Sequence, residues 1–303
     1  MYSAMVRRRI IEEPVSRLAI WSRRVALFSL VTAFIGVVIV RSGALDVVPA
    51  VSTLAGALAL AIVAILLAFG AGIMIWRDGL GGLREAVTAV LIGLALIAYP
   101  AYFAIRAYQL PAIYDVTTDP IDPPQFDVVA RLRPRDANPI TYEGLYAAEL
   151  QHVAYSDIEA EQTTATPQEA FDAAMKVITR RRWRVVNARP PAQGVPATRV
   201  SNPRAPQDLA ARDGVIEAVA RSLILGFRED VVVRIRTTND GTRIDARSAS
   251  RYGRSDFGSN ATRVRSLISD IDDILARPAA PEKEEKKPAR PGQEPERGRS
   301  AKR

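Results

Sequence analysis

The residues best equipped for chemistry lie close together near the end of the chain, in the run RSASRYGRSDFGSNATR, Arg247 to Arg263. Four arginines, Arg247, Arg251, Arg254 and Arg263, carry planar guanidinium forks that match phosphate or carboxylate. Gly253 and Gly258 permit tight turns that open backbone N–H groups. An amphipathic segment follows, so a helix N-terminus adds free N–H groups and a positive dipole end. Arg247, Ser250, Arg251, Asp256, Asn260 and Arg263 are therefore the candidate ligand-binding set, and the chemistry is recognition of an anion. The same residues also support a plainer reading. Asp256 can cap the helix or pair with an arginine, Ser and Asn can close local turns, and Ser259 or Asn260 can cap the helix. What matters is whether these groups satisfy one another or leave donors for a guest.

Catalytic constellations are sparse. His152 is the sole histidine, with Asp157 nearby in ELQHVAYSD and serines elsewhere. A Ser-His-Asp triad is defined by geometry, however, and no Gly-x-Ser-x-Gly elbow occurs. Acidic residues are abundant, but nothing singles out a hydrolytic pair. One histidine and no cysteine exclude multi-histidine sites, thiolate sites and disulfides within one chain. Asp115, Asp119 and Asp122 do not follow the order of a calcium loop and read as turn and capping residues. No catalytic residue, metal ligand or cofactor is expected.

The formal charge of +8 invites a nucleic-acid reading, which its distribution opposes. Residues 106–277 carry 24 Lys/Arg against 23 Asp/Glu, and the excess sits at the two ends. A nearly neutral domain is a poor footprint for nucleic acid.

The elements that must hold these residues begin with three uncharged apolar segments, Val25–Val40, Val51–Trp76 and Ala86–Ile105. About 20 apolar residues cross a bilayer, and the first segment reaches that length with its flank, Trp21 and Ser22, while Arg23 and Arg24 snorkel. Its long polar leader and poor cleavage motif make it an anchor rather than a signal peptide. Small residues at four-residue spacing, Ala57 and Ala61, then Ala64, Ala68 and Gly72, predict close helix packing. Placing the N-terminus in the cytoplasm puts Arg7, Arg8, Arg9, Arg17, Arg23, Arg24, Arg77 and Arg84 inside. Arg41 and Arg106 then lie at the outer ends, and everything after Arg106 is extracytoplasmic.

Past the spans, YDVTTDPIDPPQF reads as extended chain. Thr166, Pro167 and Glu169 form a capping box ahead of a helix whose face is Ala170, Phe171, Ala174, Val177 and Ile178. Strands follow at WRVVNA and around TRVS, and DVVVRIR and TRIDARSAS form a hairpin across Asn239, Asp240 and Gly241. Val231, Val233, Ile235, Ile244 and Ala246 share its apolar face. Arg234, Arg236, Arg243, Asp245 and Arg247 share the other, which is expected to be wet. A closing helix carries Val264, Leu267, Ile268, Ile271, Ile274 and Leu275. The fold class is a membrane α-helical N-terminal half of three transmembrane helices plus an extracytoplasmic α+β domain, an antiparallel sheet with helices on one face. The expected divisions are a basic cytoplasmic leader (1–24), the three spans (25–105), a Pro/Asp-rich extended segment (106–165), the α+β domain (166–277) and a disordered charged tail (278–303).

The motifs DVTTDPIDPPQF, AYSDI, GFREDVVVRIR and RSASRYGRSDFGSNATRVR, in this order, resemble domain-of-unknown-function family 1499, found in bacteria and some plastids. Tyr155-Ser156-Asp157-Ile158 departs from that family's usual Tyr-Pro-Asp-Ile. The resemblance implies a membrane-anchored bacterial member and supplies no activity. The expectation is an inner-membrane protein whose periplasmic domain binds or scaffolds an envelope component: an anionic lipid, a cell-wall glycan or an envelope protein. The alternatives are an envelope hydrolase or transferase acting through the Asp256 region, and an accessory subunit of a membrane transport complex.

Overall fold

The computed structural model describes residues 14–43, 47–192 and 213–276. The expected strand around TRVS and the charged tail lie outside these residues. Three long helices come first: α1 (Arg17–Ser42), α2 (Val47–Asp78) and α3 (Leu83–Gln109). Each is long and apolar enough to cross a membrane. The helices outrun the apolar segments because their charged flanks are helical too. Residues 17–24, expected in the leader, are the first turns of α1.

Small residues bring these helices together. Ala57, Ala61, Ala64 and Ala68 are buried, and Ala71 takes the place expected for Gly72. A Cβ at Gly36 would sit 2.7 Å from Leu54, and one at Gly93 would sit 2.6 Å from Ile65, so both glycines mark close approaches. Large side chains such as Phe28, Phe34, Leu66 and Phe69 face outward, where lipid is the solvent.

The rest folds into one antiparallel sheet with helices. Its strands are β1 (Asp115–Thr117), β2 (Glu161–Thr163), β3 (Arg184–Arg189), β4 (Gly214–Arg221), β5 (Arg228–Thr238) and β6 (Gly241–Ser250). The order is β1-β6-β5-β4-β3, and β2 also pairs with β6 beside β1. In the hairpin Val233 faces Ala246 and Ile235 faces Ile244, so these residues share one face as expected. Two helices, α6 (Pro167–Arg180) and α7 (Ser259–Leu275), cover that apolar face. The capping box of α6 forms: Thr166 Oγ1 accepts from Glu169 N, and Glu169 accepts from Thr166 N.

Two expectations need correction. The segment 106–165 is not simply extended. It supplies β1, β2, a short helix α4 (Val128–Arg131) and α5 (Leu145–Ala154). Its three-residue strands are too short to show a period, and its α5 exposes Leu145, Tyr146 and Val153, which blurs the pattern. The charged face of the hairpin is largely covered rather than wet, with Arg236 and Arg243 only partly exposed. Phe126 and Val129 pack over it on Val219, Val232 and Ala249, and Asp245 and Arg247 are fully buried.

Candidate functional site

Each residue of the predicted anion-binding set can be followed to its partners. Arg247 rises from β6 into the layer under the 119–142 segment. Its Nε and Nη2 donate to both oxygens of Asp115 at 2.7–3.2 Å, while Nη1 reaches Pro124 O at 3.0 Å and Nη2 also reaches Ile140 O at 2.8 Å. Phe126 and Tyr142 present their ring faces to the same guanidinium, at 4.7 and 5.6 Å. Arg251 makes the same kind of fork with Asp230, at 2.7–3.1 Å, and Arg133 Nε reaches the other side of that carboxylate at 2.6 Å. Burial pushes the Asp115 carboxyl up, and its bonds to Arg247 pull it back.

The other four residues meet at the start of α7. Asp256 accepts from Gly258 N at 3.0 Å and from Asn260 N at 2.6 Å, so it caps the helix. Gly258 occupies the N-cap position itself, at φ 81°, where Ser259 or Asn260 was expected. A glycine fits there because the backbone is left-handed and Arg106 and Leu110 lie where a Cβ would go. Asn260 Nδ2 donates to Tyr114 O at 2.8 Å and Ser250 Oγ at 3.0 Å. Its Oδ1 accepts from Ser248 Oγ at 2.8 Å and Arg263 Nη1 at 2.6 Å. Arg263 Nη2 pairs with Glu229. The six residues thus come together in two adjoining clusters, and their polar groups are directed at one another and at backbone. Arg254, by contrast, is exposed on the outer rim of the loop.

Sequence reasoning missed the acids that complete these clusters. Asp115, Glu217, Glu229, Asp230 and Asp245 are all buried. Glu217 projects from β4 and accepts from Asp127 N, Val128 N and Val129 N, holding the first turn of α4, and from Asn187 Nδ2. Asp245 takes Arg234, Arg236 and Arg243, with Asp119 and Asp122 closing the network from above. The available signal was an acid within or beside an apolar run, Glu217 in VIEAV and the pair Glu229-Asp230 in EDVVV, since a buried charge needs a partner.

The loop also seats the domain on the spans. Arg106, in the last turn of α3, donates through Nε and Nη2 to Phe257 O at 3.2 and 3.0 Å. Phe103 and Phe257 meet edge to face, 5.4 Å between centroids. A second seat joins α1 to the β4–β5 turn, where Arg41 Nη1 donates to Leu223 O at 2.5 Å and Ile224 O at 3.0 Å.

His152 is exposed on α5 beside a small cavity of about 180 Å³ that Gln151, Tyr155 and Glu159 also line. Asp157 pairs instead with Arg265, so the two do not form a catalytic couple.

A family model described as a protein of unknown function, DUF1499, matches residues 115–271, more than half of the chain. The chain belongs to the DUF1499 family. Comparison with curated proteins and with solved structures gives no match. The DUF1499 segment begins at Asp115 and so contains both partners of the Asp115–Arg247, Asp230–Arg251 and Glu229–Arg263 pairs. The seating arginines Arg41 and Arg106 lie outside it. In this DUF1499 member the arginine-rich loop therefore closes a buried ionic lattice within the family domain and docks that domain on its anchor.

Proposed function

We propose that this membrane protein stands in the bacterial inner membrane with its N-terminus in the cytoplasm, and that its α+β domain binds or scaffolds an envelope component on the periplasmic side. The arginine tally supports this orientation, since eight arginines gather at one side of the spans. The observation that carries the scaffolding reading is the double seat. Arg41 and Arg106, at the same ends of α1 and α3, both hold carbonyls of the domain, so it presents a fixed surface to whatever lies beside the membrane. Binding is favoured over turnover because Asp256, the acid of the alternative enzyme reading, is committed to the cap of α7. The loop offers a partner its outward rim, Gly253 and Arg254, rather than the buried guanidiniums.

The orientation is tested with a phosphatase joined after Arg277 of the full chain. It should be active, and an inactive fusion on a correctly inserted protein would overturn the periplasmic placement. For binding, the full chain in nanodiscs is titrated with cell-wall fragments and phosphorylated lipids. Arg254→Ala should weaken capture several-fold, while turnover that Asp256→Ala abolishes without unfolding would establish the enzyme instead.

A further inference from the structure

The turn between β4 and β5 places apolar and cationic residues where an interfacial protein would need them. Its backbone is closed by Ser222 N donating to Phe227 O at 2.9 Å and Gly226 N to Ser222 O at 3.1 Å. The tip leaves Leu223 90% and Ile224 43% exposed. Arg41 grips both of their carbonyls, which holds the tip against the last turn of α1, where that helix leaves the bilayer. Gly226, at φ 71°, lets the chain pass Arg41, since a Cβ there would lie 3.1 Å from Arg41 Cγ. Two large apolar side chains at this level are either bare to water or in lipid.

Behind the tip, Arg221 and Arg228 face each other as the terminal cross-strand pair. Like charges in that position repel. Ten arginines of this domain pair with an acid. Among the described residues, neither of these two has an ion-pair partner. Arg228 reaches the end of α1, with Nη2 3.5 Å from where a Gly43 Cβ would stand. The helix end there offers it only a partial negative charge. Burial first, then the neighbouring Arg221, Arg251 and Arg184, pull the Arg228 guanidinium below its ordinary value.

A cavity of about 160 Å³ lies between, with Val40, Arg41, Val47 and Ala50 on the wall from the spans and Arg221 and Arg228 on the wall from the domain. That polarity is the polarity of a phospholipid. We infer that the β4–β5 turn is a phospholipid clasp: Leu223 and Ile224 enter the lipid layer, and Arg221 and Arg228 hold the phosphate of a headgroup whose chains run along α1 and α2. Guanidinium forks suit the two free oxygens of a phosphodiester, and apolar side chains flanked by arginine suit the headgroup boundary. The clasp requires that the spans cross a bilayer and is independent of which side the domain occupies.

The full-length protein in detergent is examined by native mass spectrometry with phosphatidylglycerol, and with diacylglycerol, which lacks the phosphate. One phosphatidylglycerol should be retained per chain and diacylglycerol should not. The double variant R221Q/R228Q should lower retention about tenfold or more, two charge-assisted donors being removed. Its thermal midpoint should hold or rise, because the repulsion goes with the charges. A merely structural role predicts a fall. Equal retention by the variant overturns the clasp. So does an arginine-dependent binding of inorganic phosphate by calorimetry with no lipid retained, which would mark a free-phosphate pocket.

Depth has its own readout, because the chain has no cysteine and Leu223→Cys takes a single environment-sensitive dye. In nanodiscs spin-labelled lipid should quench it. Asp240→Cys, at the far end of the 11-residue β5, lies roughly 35 Å further away and should not be quenched. Equal accessibility of both positions to water would overturn the insertion. Failure of either arm leaves the periplasmic scaffold reading to its own fusion test.

Discussion

Replacing Arg247 with methionine separates a structural arginine from a ligand-binding one. The substitution keeps a long apolar stem in place but strands the Asp115 carboxylate, which is 1% exposed. Breaking one side of a buried ion pair costs about 3–5 kcal/mol, because the remaining charge stays desolvated. Pro124 O and Ile140 O lose their donors as well, which adds about 1 kcal/mol or more if water does not reach them. A loss of about 4–6 kcal/mol is a large share of the roughly 5–15 kcal/mol that holds a domain folded. At about 2–4 °C per kcal/mol for a domain of this size, the midpoint should fall by about 10–20 °C. The assay is thermal unfolding of the full chain in nanodiscs, followed by near-ultraviolet circular dichroism. Asp115→Asn combined with Arg247→Met should recover at least half of the loss, since no charge is then left buried. A fall of under about 3 °C in the single variant, or a double variant as unstable as the single, would refute the reasoning. The first result would return Arg247 to the list of candidate ligand donors.

Three further outcomes follow from local geometry. Burial first, then Glu143 and Asp115, push the Tyr114 hydroxyl up to about 12, so the folded state keeps its proton where the unfolded chain, at about 10, has lost it. Stability should therefore fall as pH rises from about 10 to 12, and Tyr114→Phe, which removes that hydroxyl, should flatten the fall in a pH series of melting curves. Thr166→Ala removes the oxygen that accepts from Glu169 N and should cost about 1 kcal/mol, read as a midpoint lower by a few degrees. Gly226→Ala forces a Cβ into a left-handed position against Arg41 and should cost about 1–2 kcal/mol, with faster proteolysis at the β4–β5 turn as the second readout.

Where the chain carries a signal longer than one turn, its fold was legible. Uninterrupted apolar runs gave the spans, the Thr166–Glu169 box gave the start of α6, and alternation in DVVVRIR gave the apolar face of the hairpin. What escaped was built from short pieces or long-range partners. β1 and β2 have three residues each and exist because β6 offers an edge, not because their sequences insist on a strand. The candidate site was half legible. The loop's residues do converge, but the acids that neutralise them come from up to 132 positions away, and no local pattern links Asp115 to Arg247. Alternation placed Arg243, Asp245 and Arg247 on the correct face. It could not show that Phe126 and Val129 would cover that face, because an antiparallel sheet commonly leaves one side in water.

The arrangement of charge ties the lattice to the membrane. Residues 106–277 hold 24 cations against 23 acids, and seven of the arginines are recruited to meet buried carboxylates. An unmatched arginine on open surface would do little, since salt screens it within about 8 Å. Arg221 and Arg228 are both exposed in the chain by itself, but they lie beside the spans. They stand opposite each other at one end of β4 and β5, beside the last turn of α1, a helix long and apolar enough to cross a membrane. A carboxylate at either position would have paired with the other, as Asp230 does with Arg251 nearby. Two arginines in register at the bilayer boundary make sense when the missing negative charge is supplied by the bilayer. The same geometry explains why the neighbouring arginine of the pair, Arg41, is bound to carbonyls rather than to an acid: it positions the turn and leaves the phosphate level to the other two.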